Sequence, residues 1–167
     1  MITTNEVKTK PFQGEWSEQD KLGMQKAIEQ AELGLSEGGV PIGACLIRNS
    51  TGEVLGVGRN KRVQKGSPTL HGETDCLENI GRLPANVYRD CTIYTTLSPC
   101  TMCTGCVILY NIPRLVMGEN DTFIGGEDWL ANKGIEVVNL NSDKCKSLMA
   151  EFIKRYPDVW NEDIGEE

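Results

Sequence analysis

The chain has 167 residues, 39% of them hydrophobic and 25% charged, which suits one globular domain with a substantial buried core. Its net charge of −7 and pI near 4.9 disfavour a nucleic-acid partner, because proteins that bind phosphate backbones usually carry clustered lysine and arginine. No apolar run approaches the roughly 18 residues of a membrane span, and no secretory leader is recognisable. We therefore expect a cytoplasmic protein whose seven cysteines are thiols or metal ligands.

The N-terminal third predicts an arm, a helix and a pair of strands. Residues 1–16 are polar and aperiodic and are expected to form a loose arm ahead of a single domain over 17–167. Ser17 supplies a helix N-cap, with Asp20 in the position that completes a capping box. Apolar residues then recur at helical spacing as far as Leu35. The two strands are expected at residues 42–48 and 53–60.

The rest of the chain alternates strands with helices. A polar loop is expected over residues 61–68. Helices are predicted at 71–81, at 101–110, shortly after residue 126 and from 145 to 156, and strands at 91–97, 114–117 and 135–140. This alternation predicts an α/β fold, a three-layer αβα sandwich with a central mixed or parallel sheet flanked by helices.

Two short segments carry the chemistry, and each begins a predicted helix. They are His71-Gly72-Glu73 and Pro99-Cys100-Thr101-Met102-Cys103. A Cys-x-x-Cys pair on a first helical turn points both sulfurs to one side, and the helix N-terminus favours the thiolates that a metal needs. With His71, the sole histidine of the chain, Cys100 and Cys103 make three ligands for zinc and leave its fourth tetrahedral position open to water.

An open zinc site makes its bound water acidic, lowering the water pKa from about 15.7 towards about 7. A base must then accept the proton. Glu73 lies two residues from His71, near enough to reach that water without binding the metal. H-x-E with a later P-C-x-x-C is the signature of zinc-dependent nucleobase deaminases. The pattern therefore predicts Glu73 as the proton carrier of a hydrolytic deamination.

Other interpretations of these residues remain open at this point. A lone Cys-x-x-Cys also occurs in redox proteins and in structural zinc sites, although neither explains the segment 71–73. Cys106 continues the cysteine spacing and would allow a cysteine-only site. Its side chain should be rotated away from Cys100 on the same helix, so we expect it in the core.

Beyond these motifs, the chain resembles the fungal cytosine deaminases, members of the cytidine deaminase-like superfamily, from about Asp20 to Glu166. The segments that carry the resemblance are 37–43, 64–67, 69–73, 77–79, 94–100, 102–105, 118–120, Trp160 and 162–165. The resemblance implies a homodimer of αβα sandwiches with one Zn²⁺ in each chain.

The resemblance also implies how a base would be held. Asn60 would hydrogen-bond the ring, helped by the backbone N–H of Gly72, and Asp163 would contact the ring edge. The side chains that would enclose the ring faces are Ile42, Leu97, Phe123 and Trp160. A flat heteroaromatic ring needs such apolar faces with a few fixed polar groups. The alternatives are a packing anchor for Trp160 and a solvated acidic tail for Asp163.

Several features depart from the family pattern. Residues 74–76 are Thr-Asp-Cys where relatives carry apolar and small residues. Asp75 lies four residues from His71 on one helix face, so we expect it either to hold His71 or to line an altered pocket. The remaining departures are Val159, Asn111 and a shortened loop at 123–126.

These observations predict a zinc hydrolase of pyrimidine salvage that deaminates a free nucleobase, with cytosine to uracil and ammonia favoured. The alternatives are the same chemistry on isocytosine, creatinine or a guanine-like ring, an RNA-editing deaminase, and an inactive deaminase fold serving as a binding subunit. The acidic composition argues against a nucleic-acid substrate, and the presence of Glu73 argues against an inactive fold.

Overall fold

A five-stranded mixed sheet forms the centre of the protein, of which the computed structural model describes residues 8–167. The strands are β1 Gly43–Arg48, β2 Val54–Arg59, β3 Cys91–Thr95, β4 Arg114–Met117 and β5 Glu136–Asn139. They are arranged in the order β2-β1-β3-β4-β5. β1 pairs antiparallel with β2 and β3, whereas β3, β4 and β5 run parallel. β2 is therefore an edge strand.

Helices surround this sheet. Those in the described residues are α1 Glu18–Ser36, α2 Arg62–Lys65, α3 Gly72–Ile80, α4 Ala85–Tyr88, α5 Thr101–Leu109, α6 Glu127–Asn132, α7 Asp143–Arg155 and α8 Pro157–Asp163. The sequence prediction lacked α2, α4 and α8, because helices of one or two turns show no clear periodicity. α2 lies in the stretch expected to be a loop. No helix of the described chain is both long and apolar enough to cross a membrane.

Helices cover both faces of the sheet because successive side chains of a strand point to opposite sides. On β1, Ala44 and Leu46 pack with buried residues of α3, α5 and α6. Cys45 and Ile47 pack on the other side with buried residues of α1 and α7. The predicted three-layer αβα sandwich is confirmed.

Ser17 caps α1 as predicted, since its hydroxyl accepts a 3.0 Å hydrogen bond from the N–H of Asp20. The Asp20 carboxylate faces inward and accepts hydrogen bonds from Arg114 at 2.6 Å and from the Tyr94 hydroxyl at 2.8 Å. Asp20 therefore joins α1 to β3 and β4.

Part of the expected loose arm, residues 1–7, lies outside the described residues. The part that follows is held in place. Pro11 forms a parallel bridge to Asn139, and the Phe12 N–H donates to the Asn139 carbonyl at 2.8 Å. The N–H of Thr9 donates to the carboxylate of Glu127 at 2.7 Å. From Thr9 to Phe12 the chain is thus tied to β5 and to α6.

A close contact between α3 and β2 fixes the position of α3. At Gly58 in β2, an added Cβ would lie 2.1 Å from the backbone nitrogen of Cys76. Only glycine leaves room for this approach. The helix is therefore seated directly on the edge strand, with the segment before its first turn near the end of β2.

Candidate active site

The three donors of the predicted metal site meet between the first turns of two helices. His71 is the N-cap of α3, Cys100 is the N-cap of α5, and Cys103 lies in the first turn of α5. One donor atom from each residue lies within 4.8 Å of the other two. The Sγ of Cys100 is 3.4 Å from Nδ1 of His71. One imidazole and two thiols at this separation fit a zinc ion.

The surroundings of Cys100 favour its thiolate. The pKa of Cys100 is lowered to about 4, chiefly by a hydrogen bond from the Cys103 thiol and also by one with His71. Burial of Cys100 acts in the opposite direction and is outweighed. The same hydrogen bond, together with burial, raises the pKa of Cys103. Cys100 is therefore ionised at neutral pH, the form in which a cysteine binds a metal.

Cys106 lies outside the donor set, as helical rotation predicted. Its half-buried side chain lines an open groove with Leu77 and Tyr110. The expectation that Cys106 belongs to the core is therefore wrong, because this face of α5 is not covered by another element of the described chain.

The His71 ring joins the donor set to the C-terminal helix. While Nδ1 faces Cys100, Nε2 lies 3.7 Å from the carboxylate of Asp163, whose side chain is only 2% exposed. A carboxylate hydrogen-bonded to the second ring nitrogen fixes the orientation and tautomer of a metal-binding histidine. At 3.7 Å Asp163 makes no such hydrogen bond, but Asp163 and not Asp75 is the carboxylate that faces this nitrogen.

Asp75 faces β2, away from His71 and from the pocket. Its buried carboxylate accepts hydrogen bonds from the Arg59 N–H at 3.0 Å and from the Asn79 amide at 3.3 Å, and it pairs with the ammonium group of Lys61 at 2.9 Å. Both expectations for Asp75, holding His71 and lining the pocket, are wrong. Residues four apart share a helix face, but here the Asp75 side chain turns to the strand against which α3 packs.

Glu73 lies buried beside the donor set. Its carboxylate, in a residue only 3% exposed, accepts a 2.9 Å hydrogen bond from the Thr95 hydroxyl. Burial, and then the negative charge of Cys100, raises the pKa of Glu73. This upward shift favours a role in proton transfer, because it makes the carboxylate a better proton acceptor than an exposed glutamate.

A small cavity adjoins Glu73 and the donor set. It is lined by Ile42, His71, Glu73, Leu97, Ser98, Cys100, Phe123, Trp160, Asp163 and Ile164. All four apolar residues expected to enclose a base are present, and the rings of Phe123 and Trp160 meet edge to face at 6.2 Å. The cavity holds about 20 Å³, room for roughly one water. The cavity in this structure is therefore smaller than a ring-sized ligand.

Asn60 reaches the pocket through Asp163. Its amide nitrogen donates to both carboxylate oxygens, at 2.9 and 3.2 Å, across a separation of 103 residues in sequence. Its amide oxygen accepts from the N–H of Arg62 at 3.1 Å. Gly72, at the first position of α3, lies against Ile42, whose carbonyl oxygen would be 3.1 Å from an added Cβ. Asn60 and Asp163 are thus brought together as expected at the base edge, whereas Gly72 contacts neither of them and, like Asn60, does not line the cavity itself.

A buried carboxylate that the sequence prediction missed supports the loops around the pocket. Glu127 accepts hydrogen bonds from the Ser98 hydroxyl and from the Thr9 N–H, both at 2.7 Å. The Ser98 oxygen in turn accepts from the N–H of Gly125 at 3.0 Å. Glu127 therefore connects the N-terminal segment, the loop before Cys100 and the loop that carries Phe123. Acidic residues are common in the first turn of a helix, so nothing in the sequence indicated that Glu127 is buried.

The other departures from the family pattern lie mainly outside the pocket. Asn111 adopts a left-handed backbone, φ 53°, just after α5, a conformation that asparagine tolerates. Val159 packs against the apolar cluster around Trp160. In the shortened loop at 123–126, an added Cβ on Gly125 would lie 1.8 Å from the Pro99 carbonyl oxygen, so this loop requires glycine.

Comparison with known proteins assigns the family. The sequence model of the cytidine and deoxycytidylate deaminase zinc-binding region matches residues 17–119. The chain belongs to this deaminase family. A cytosine deaminase of Candida albicans is 59% identical over 147 residues, which cover 88% of this chain and 97% of the relative. A tRNA-specific adenosine deaminase of Haemophilus influenzae is 31% identical over 150 residues, or 83% of this chain and 86% of that protein.

Solved structures of deaminases share the fold. The guanine deaminase from Nitrosomonas europaea superposes with a TM-score of 0.66 at 22% identity, covering 81% of this chain and 84% of the other. The predicted cytidine deaminase-like fold is confirmed, and so is the assignment of the protein to the zinc-dependent hydrolytic deaminases.

Proposed function

We propose that this protein deaminates free cytosine to uracil and ammonia, using one Zn²⁺ per chain held by His71, Cys100 and Cys103. The observation that carries the proposal is that two of the three clustered donors, His71 and Cys100, line one cavity with the Glu73 carboxylate and apolar walls. The choice of cytosine is supported by the 59% identity to a cytosine deaminase.

Glu73 carries the protons of the reaction. When bound, zinc supplies the Lewis acid that lowers the pKa of a water molecule towards neutrality. Glu73 takes up one proton of that water as its oxygen adds to C4 of cytosine, and it passes this proton to ring N3. It then takes the remaining proton from the new C4 hydroxyl and delivers it to the amine as the C4–N bond breaks. The Thr95 hydroxyl orients the carboxylate for these transfers. Water is consumed, the C4–N bond breaks, and ammonia leaves.

The polar edge and the apolar walls hold the base. Asp163 accepts a ring N–H, while Asn60 donates its amide to the carbonyl group, assisted by the N–H of Gly72. The ring faces pack against the apolar wall residues Ile42, Leu97, Phe123 and Trp160. A guanine-like bicyclic ring is larger than a pyrimidine and would require a wider opening of a cavity that now holds about 20 Å³.

We also propose that two copies of the chain form a homodimer through the groove beside α3, α4 and α5. The groove has a volume of about 1100 Å³ and lies next to two exposed apolar residues at the end of α5, Leu109, 69% exposed, and Tyr110, 41% exposed. An exposed apolar patch beside a groove is typical of an interaction surface. A second copy of this chain buries it. Leu109→Glu should shift the mass measured by light scattering from dimer to monomer; an unchanged mass would place the interface elsewhere.

The proposed setting is the cytoplasm, where a reducing environment keeps the two cysteine ligands from pairing. There the enzyme would serve pyrimidine salvage. The net charge of −7 supports a free base over a nucleic acid as substrate.

The test is ammonia release from a panel of cytosine, isocytosine, creatinine, guanine and a tRNA, with zinc measured in the same preparation. Cytosine should be the fastest substrate by a wide margin. A zinc-loaded protein that ignores cytosine but turns over another member of the panel would refute the choice of base. A protein inactive on all of them would support the binding subunit instead.

A further inference from the structure

The carboxylate of Asp75 lies beside the chain on both sides of Asn60. It accepts a 3.0 Å hydrogen bond from the Arg59 N–H and forms a 2.9 Å ion pair with Lys61. We propose that Asp75 is a positioning residue that fixes the turn bearing Asn60 for recognition of the base. This inference rests on the proposed role of Asn60 and goes beyond it.

The turn needs such a support because it leaves the sheet. β2 is the edge strand, and its pairing with β1 ends where Arg59 lies opposite Gly43. The N–H of Asn60 still donates to the Ile42 carbonyl at 2.9 Å, on the side of β1. Neighbouring N–H groups of a strand point to opposite sides, so that of Arg59 points to the open edge. Asp75 is the acceptor that this N–H would otherwise lack.

The ion pair with Lys61 holds the other end of the turn. The side chains of Asp75 and Lys61 are 2% and 14% exposed. A pair so deeply buried adds little net stability, because both charges must lose their hydration. Its contribution is geometric: Lys61 is drawn towards α3, and Asn60 is held between two anchored neighbours.

The support is rigid because α3 is seated on β2. The close approach at Gly58 leaves the helix no freedom to shift towards the strand. The same helix is preceded by His71 and carries Glu73 in its first turn. Through Asp75, one rigid element therefore sets the distance between the group that binds the base and the group that moves its protons. Errors of about 1 Å in such a distance cost up to roughly 100-fold in rate.

A double-mutant cycle on kcat/KM tests this role. Asp75→Ala should lower kcat/KM for cytosine about ten-fold, through a higher KM and a lower kcat, with zinc unchanged. If Asp75 acts through Asn60, the same substitution in an Asn60→Ala background should change kcat/KM by less than about two-fold. Asn79→Ala is the matched control: this exposed residue contacts the same carboxylate from within α3 but does not touch the turn. It should leave KM within about two-fold of wild type.

An equal effect of Asp75→Ala in both backgrounds would overturn the proposal. Asp75→Asn preserves the shape of the side chain while removing the charge opposite Lys61. Asp75→Asn should raise KM less than Asp75→Ala does. If the alanine variant does not fold, Asp75→Asn takes its place in the double-mutant cycle. If wild type prefers another base, the proposed function fails, and the cycle on that base, or on its affinity measured by calorimetry, still decides the role of Asp75.

Discussion

The hydroxyl of Ser98 donates a 2.7 Å hydrogen bond to the carboxylate of Glu127, and both side chains are buried. Ser98 lies two residues before the donor Cys100, so this bond anchors the loop that leads into α5. Asn120 also donates to the Glu127 carboxylate, at 3.1 Å, as does the N–H of Thr9. Glu127 therefore receives donors from three separate parts of the chain.

Glu127→Gln should destabilise the protein and impair turnover together. Glutamine has a single acceptor oxygen, so at least one buried donor loses its partner, at a cost of about 1–3 kcal/mol. In a protein of this size that lowers Tm by several degrees, about 2–4 °C per kcal/mol. Calorimetry and a cytosine assay measure the two effects. Glu53→Gln in the exposed β1–β2 turn should change neither, and a Glu127→Gln enzyme equal to that control would remove Glu127 from the support of the pocket.

The donor set is tested by zinc content. Cys100→Ser and Cys103→Ser should each lose most of the metal, because a serine hydroxyl does not replace a thiolate as a zinc ligand. Cys106→Ser should retain about one zinc per chain, since Cys106 lies outside the donor set. Elemental analysis of the three purified variants gives the answer. Full zinc in both of the first two variants would contradict the site.

Glu73→Gln should keep the fold and the zinc but lose nearly all turnover. The amide oxygen accepts a hydrogen bond from Thr95 as the carboxylate does, but the amide can neither take up nor release a proton at neutral pH. General acid–base catalysis contributes about 10²–10⁴-fold, and one residue serving several transfers should lie near the top of that range. The rate of ammonia release from zinc-loaded protein measures the loss. A variant at half the wild-type rate would exclude Glu73 as the proton carrier.

Asp20 should stabilise the fold in a pH-dependent way. Burial opposes ionisation of Asp20, but hydrogen bonds from Arg114 and Tyr94 outweigh it and lower its pKa. Its contribution is therefore complete above the unfolded pKa of about 3.9 and is lost as the pH falls through the lower, folded pKa. Asp20→Asn should reduce the free energy of unfolding by about 2 kcal/mol at pH 7, and the difference should shrink below about pH 4.

Urea unfolding of both proteins in EDTA, which removes the contribution of zinc, measures this difference. The same deficit at pH 7 and at pH 3 would show that the charge of Asp20 is not what stabilises the contact between α1 and β4.

The sequence predicted what depends on local spacing. His71 and Cys100 are helix N-caps, and Glu73 and Cys103 lie in the first turns that follow, where position in the sequence determines direction in space. The five strands and the longer helices were found for the same reason, because their periodicity extends over several residues.

What could not be predicted depends on contacts between distant segments. Helical spacing placed Asp75 on the same side as His71, but it does not say which face of α3 meets β2. That contact turned Asp75 towards Arg59 and left Asp163, from the other end of the chain, to approach His71. Glu127 was missed for a related reason: only the folded chain brings Ser98 and Thr9 to its carboxylate.

Because Asp163 lies on α8, zinc content and the capacity to bind a base depend on different helices. The metal donors belong to α3 and α5, which pack on the sheet, whereas Trp160 and Asp163 belong to α8, which begins anew at Pro157. If α8 opens locally while α3 and α5 stay packed, the residues proposed to bind the base are displaced and the metal donors are kept. A sample with its full complement of zinc would then contain molecules unable to bind the proposed substrate. Titration with a tight-binding inhibitor, and not metal analysis, gives the enzyme concentration by which kcat should be calculated.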